Sequence, residues 1–167
     1  MNFQSLVYTG PGTSLEVFLA LGHEWVGGST KTKKGISTFP NMPTEEIFTT
    51  PHCMKVNGKV RSTKPLSYQG SLIENIEVEF KDGKIIKMNA SKGEDIFSKV
   101  LKTDDGASRL GEIALVPHSS PISQTGLIFF NTLYDENSSL HLAVGQSYSK
   151  CFRDKNLTSE QLKDAGA

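Results

Sequence analysis

The run from Asn75 to Asn89, NIEVEFKDGKIIKMN, decides the fold class. Ile76, Val78 and Phe80 alternate with Asn75, Glu77 and Glu79, and the apolar residues return at Ile85, Ile86 and Met88, beyond Lys81-Asp82-Gly83-Lys84. Alternation at period two sets one strand face against a core. Asp-Gly accepts the positive φ angles of a tight two-residue turn, so the spacing predicts a β-hairpin. Further out, Val56-Asn57-Gly58-Lys59-Val60 repeats the pattern with Asn-Gly and predicts a second hairpin. Ser91 and Glu94 have capping-box spacing ahead of Ile96, Phe97, Val100 and Leu101, which predicts an amphipathic helix ending before Thr103. Ser138 or Ser139 is expected to cap a helix through Leu140, Leu142, Ala143 and Val144. Thr158 with Gln161 is expected to open a last short helix that Gly166 closes. Scattered turn residues, among them Gly10-Pro11-Gly12, Pro40, Pro43, Pro117 and Pro121, punctuate a mixed chain and do not form a linker. The expected class is α+β: a mixed, hairpin-rich sheet with a few flanking helices, in one domain over residues 1–167.

Composition narrows the function classes. Lysine plus arginine and aspartate plus glutamate each number 18, with no basic run, so the electrostatic footprint of a nucleic-acid binder is missing. No apolar run has the length of a transmembrane helix, and MNFQSLVYTGPG has neither the basic nor the apolar region of a signal peptide. The expectation is a cytoplasmic protein with no membrane partner. Cys53 and Cys151 lie outside any CxxC pair and suit reduced thiols. HExxH, GxSxG and GxxxxGK[ST] are all absent, which removes the single-zinc protease, α/β-hydrolase and P-loop spacings.

Three segments carry acids and histidines: PNMPTEEIFTTPH (Pro40 to His52), RLGEIALVPHSSPIS (Arg109 to Ser123) and YDENSSLHLAVGQSY (Tyr134 to Tyr148). Glu45 and Glu46 are adjacent in an extended or turning stretch after Met42-Pro43-Thr44, so their side chains diverge and only one reaches any shared site. Solvated loop acids are the plain alternative. Glu112 precedes the apolar run Ile113-Ala114-Leu115-Val116, and near a core its carboxylate requires a partner. That partner is either a metal or Arg109, unless Glu112 sits in water at a strand edge. A helix starting at Ser138 or Ser139 would put His141 and Tyr148 on one face, about 10 Å apart along the axis. Glu136 would lie just ahead of it, with Asp135 and Asn137 in turn or capping roles, and a packed structural histidine is the plain reading of His141.

In wording and order these segments resemble the two-metal aminopeptidases of the aminopeptidase T, aminopeptidase S and PepS type. The resemblance continues through VNGKVRSTKPLSYQGSLIENIEVEFKDGKI, Val56 to Ile85. It implies a metal-dependent hydrolase that removes the N-terminal residue of a peptide with a metal-activated water, using two divalent ions (zinc, cobalt or manganese). By the same resemblance Glu46, Glu112, Glu136 and His141 match metal-ligand positions, Glu112 as the bridging carboxylate. Glu46 or Glu112 takes the nucleophile's proton, and Tyr148 touches metal or donates to the oxyanion. His23, His52 and His118 match no ligand position, and Arg61, Ser62, Thr63 and Lys64 are at most on the substrate side. The family is longer, with a further His and Asp beyond the position of Ala167. The expectation is therefore a catalytic-domain fragment lacking the family's N-terminal region and last ligand segment. Such a fragment would be inactive alone, completed by a companion polypeptide or homodimer, or else a catalytically dead binding or assembly module.

Overall fold

In the computed structural model, which describes residues 3–39 and 44–167, the quoted run forms its hairpin. The first strands are β1 (Ser5–Gly10), β2 (Thr13–Leu19), β3 (Val26–Gly27), β4 (Thr30–Lys31), β5 (Ser37–Thr38), β6 (Ile47–Thr49) and β7 (Pro51–Arg61). Then come β8 (Leu66–Tyr68), β9 (Ser71–Ile73), β10 (Glu77–Lys81), β11 (Lys84–Asn89) and helix α1 (Glu94–Leu101). The remainder holds β12 (Leu110–Leu115), α2 (Pro121–Gln124), α3 (Thr132–Asp135), β13 (His141–Val144) and α4 (Ser159–Asp164). Among the described residues β1-β2-β7-β10-β11 form one antiparallel sheet and β13-β12-β6-β3 a second, with β4-β5 and β8-β9 as small pairs. The fold is mixed α+β, rich in antiparallel hairpins, with a few short flanking helices.

The β10–β11 turn places Asp82 at φ 49° and Gly83 at φ 78°, the two left-handed positions of a type I′ turn. Asn57-Gly58, by contrast, is not a turn. It lies inside the single long strand β7, which pairs with β2 on one side and β10 on the other. Gly58 has φ 117°, and a Cβ there would come within 2.1 Å of the Ser14 carbonyl. The Asn-Gly pair therefore marks a close backbone approach in a strand, which a turn signal cannot be told from.

Alternation along β2 buries Leu15, Val17 and Leu19, which meet Val56 and Phe80 from the same sheet and Leu110 and Ile113 from the second. Each such side chain contributes roughly 1.5–3 kcal/mol of burial, so the core fastens the two sheets face to face. Helix α1 runs over the expected residues, but its N-cap is Gly93 in the left-handed region, with no side-chain cap. Ser91 instead donates to the Glu74 carbonyl and Glu94 accepts from the Ala90 amide. Thr158 and Gln161 do form their reciprocal capping box ahead of α4, and Gly166 follows at φ 92°. Among the described residues no helix is long and apolar enough to cross a membrane. Cys53 and the buried Cys151 are both free thiols.

Candidate metal centre

The helix expected through Leu140 to Val144 is a strand. Leu142 and Val144 alternate with His141 and Ala143, and β13 pairs with β12 in the register Glu112↔Ala143, Ile113↔Leu142 and Ala114↔His141. A four-residue apolar run suits either period, and the unpaired edge of β12 selects the strand. Ser138 is not a cap either: its hydroxyl donates to the Asp135 carbonyl inside a 3₁₀ turn, Glu136–Ser138.

This register places the site. Residues directly opposite in an antiparallel pair share a face, so Glu112, Ala114, His141 and Ala143 project together, while Ile113 and Leu142 turn to the core. On the other side of β12, Ala114 faces Phe48, and Glu46 stands two residues before Phe48. Ala114, opposite both His141 and Phe48 in register, is fully buried, and the side chains of Glu46, Glu112 and His141 converge. His141 Nε2 lies 3.3 Å from Glu46 Oε1 and 3.5 Å from Glu112 Oε1. One ligand atom from each of Glu46, Glu112 and His141 lies within 4.8 Å of the others. Glu45, the adjacent acid, is exposed. The Pro40 and Pro43 turn expected ahead of it lies outside the described residues.

The arrangement could hold a cation. His141 Nδ1 is 3.0 Å from the Ser139 carbonyl, which favours a proton on Nδ1 and leaves Nε2 toward the acids. That Nε2 is buried and has no aligned hydrogen-bond partner, although both carboxylates stand at ion-pair distance. Burial alone would push the imidazole pKa down. The Glu112 and Glu46 carboxylates and the Ser139 carbonyl outweigh it and raise the pKa to about 10. Two acid oxygens and one imidazole nitrogen, drawn from three separate segments, are a donor set that fits a divalent ion. Arg109 does not serve as the partner of Glu112, because its guanidinium donates to the carbonyls of Cys53 and Asp82.

Glu136, half-buried in its 3₁₀ turn, stands outside this tight group of three but in the same electrostatic neighbourhood. Burial first, then the carboxylates of Glu112, Glu136 and Glu46, raise the Tyr148 phenol above its ordinary pKa. Tyr148 follows β13 in a loop, so two helical turns do not bring it there. Its ring packs edge-on against Phe48, with centroids 6.1 Å apart, and Lys150 Nζ lies 4.6 Å from the Phe48 ring and 5.3 Å from that of Tyr148. Neither Phe48 nor Lys150 carried any pattern in the sequence that pointed to the site. Asp135 accepts from the amides of Phe129 and Asn131, and Asn137 is fully buried, taking the Thr44 hydroxyl on Oδ1 at 2.8 Å. His52 accepts the Met54 amide, His118 sits against Ser123, and His23 is buried against the Ala20 carbonyl, so none of them joins the group.

Gly111 sits at the β-bulge between Leu110 and Glu112, where a Cβ would meet the Gln146 carbonyl at 2.4 Å and that of Gly145 at 2.5 Å. Gly111→Ala is expected to push β12 and the end of β13 apart. The cost should be about 1–3 kcal/mol, the scale of overpacking, read as a lowered midpoint in urea. An unchanged midpoint would show that the close approach carries no weight.

The family model described as Thermophilic metalloprotease (M29) matches residues 1–167. The chain is 51% identical over 149 residues to aminopeptidase T of Thermus aquaticus, covering 89% of this chain and 36% of the relative. It is 49% identical over 166 residues to aminopeptidase PepS of Streptococcus thermophilus, covering 99% and 40%. Among solved structures it resembles wild-type AmpT from Thermus thermophilus, with TM-score 0.91 and 47% identity, covering 99% of this chain and 41% of that one. The chain thus spans about 36–40% of the length of these curated relatives.

Proposed function

This chain belongs to the thermophilic metalloprotease (M29) family, and from that premise we propose that it carries the metal-ligand core of a metal-dependent aminopeptidase. The observation behind this reading is the convergence of Glu46, Glu112 and the buried Nε2 of His141. Its relatives' names, aminopeptidase T and PepS, supply the substrate class, a peptide with a free N-terminal residue. We assign Glu46, Glu112 and His141 to hold a divalent cation, with Glu136 as a fourth ligand at the edge of the group, in a centre of two ions (zinc, cobalt or manganese) in the complete enzyme. The chemistry such ions supply when bound is Lewis acidity toward the scissile carbonyl and a water acidic enough to attack near neutral pH.

The protein's own groups do the rest. One carboxylate, Glu46 or Glu112, lies close enough to its partners to accept the proton that the attacking water gives up. The phenol of Tyr148, protonated at neutral pH as phenols ordinarily are, donates to the developing oxyanion without bringing a charge of its own. Phe48 holds the Tyr148 ring by its edge contact, which orients that donor. The cellular setting we propose is cytoplasmic, with a companion polypeptide or second copy as partner.

A group of three ligands among the described residues accounts for one ion. Residues 1–167 assayed by themselves are therefore expected to release no measurable N-terminal amino acid with added zinc, cobalt or manganese, while still binding one ion per chain in equilibrium dialysis. Chelator-sensitive release at a rate comparable to that of a full-length relative would overturn the need for further ligands. Absence of ion binding would overturn the metal reading itself.

A further inference from the structure

Of the stretch Arg61 to Lys64, Lys64 reaches the turn that precedes His141. Lys64 is half-buried, and its Nζ donates to Ser138 Oγ at 2.9 Å. Ser138 is itself buried, and its hydroxyl passes on to the Asp135 carbonyl at 2.6 Å. Three residues along, the Ser67 hydroxyl donates to the Phe130 carbonyl at 3.0 Å, and the Thr132 hydroxyl donates to the Ser67 carbonyl. The segment from Lys64 to Ser67 therefore grips the chain from Phe130 to Ser138 at both ends, and Thr44, next to the Glu46 segment, holds Asn137 from the other side. The next residue, Ser139, carries the carbonyl that holds His141 Nδ1. A partly buried ammonium spent on a neutral hydroxyl is a costly choice if packing alone were needed, since an apolar side chain would fill the space without desolvating a charge.

We propose that Lys64 is a positioning residue for the metal centre: by fixing Ser138 it holds the Ser139 carbonyl against His141 Nδ1 and so aims Nε2 at Glu46 and Glu112. The proposal rests on the reading of His141 as a metal ligand. A carbonyl on the distal nitrogen is the usual device for setting the ring orientation and tautomer of a ligating histidine, and losing such support lowers metal affinity.

The test compares wild type with Lys64→Met and Lys64→Arg, using the 167-residue chain. The His141 Nδ1–H proton exchange rate is followed by NMR without metal, and zinc affinity is followed by competition with a chelating dye. Lys64→Met is expected to speed Nδ1–H exchange at least about tenfold and to weaken zinc about tenfold, the lower end of losses from removing such support. The thermal midpoint should stay nearly unchanged, and Lys64→Arg should recover most of both losses. Should Lys64→Met fail to fold, Ser138→Ala removes the same contact from the other side and is expected to give the same two losses. Wild-type exchange and zinc affinity in Lys64→Met, or a loss of affinity that only follows a lowered midpoint, overturns the proposal. If wild type binds no zinc, the metal reading falls, and the Nδ1–H exchange alone decides whether Lys64 holds the ring.

Discussion

His141→Ala is expected to weaken zinc binding by more than about a hundredfold. That exceeds the range for removing a group that merely supports a ligand, because the variant deletes the one imidazole donor in the group of three. The effect should not trace to unfolding. Leu142 and Val144, which hold β13 to the core, are untouched, and Ala143 already shows that a methyl side chain is tolerated on this face. Without metal, the Glu112 and Glu46 carboxylates raise the wild-type imidazole pKa to about 10, so the protonated ring adds stability that the variant lacks. The wild type's advantage in thermal midpoint over the variant is expected to be full below about pH 6.5 and to fade as the pH rises through about 10. Zinc titration by calorimetry checks the first expectation, and melting curves across pH check the second. A variant with wild-type zinc affinity would assign His141 to structure alone.

Tyr148→Phe, placed in a full-length enzyme, is expected to lower kcat by about a hundredfold or more, the scale for removing one oxyanion donor, with metal content unchanged. The substitution keeps the ring that packs against Phe48 and lies beneath Lys150, so folding and the cation–π contact persist while the donor goes. Loss of activity in proportion to lost metal would make Tyr148 a ligand. An unchanged rate would make it structural.

The fold was legible where a local signal had one physical meaning. Asp82-Gly83 between alternating runs specified its turn, and Thr158 with Gln161 specified its helix start. Asn57-Gly58 misled because glycine serves a close strand approach as well as it serves a turn, and only the partner strand distinguishes them. The segment from Leu140 to Val144 misled for a related reason: four residues cannot establish a period, and the free edge of β12 that decides it is 25 or more residues away in the chain. The convergence of three of the candidate ligands does not depend on that conformation. Glu46, Glu112 and His141 were named from the ordered match of three segments, and their convergence comes from register across β6, β12 and β13, whatever the local conformation around His141. Ala114, which pairs in register with both His141 and Phe48, and Lys64, which reaches the Ser138 turn, could not be read from the sequence, because their importance lies in what stands opposite them.

On the proposed reading Glu46, Glu112 and His141 hold a divalent cation. Anomalous diffraction at the zinc edge, from crystals of this chain grown with zinc, tests it most directly. One strong peak is expected, bonded to His141 Nε2 and to a carboxylate oxygen from each of Glu46 and Glu112, with the imidazole Nδ1 still on the Ser139 carbonyl. Zinc bound elsewhere with this group empty, or His141 turned away from both acids, would contradict it.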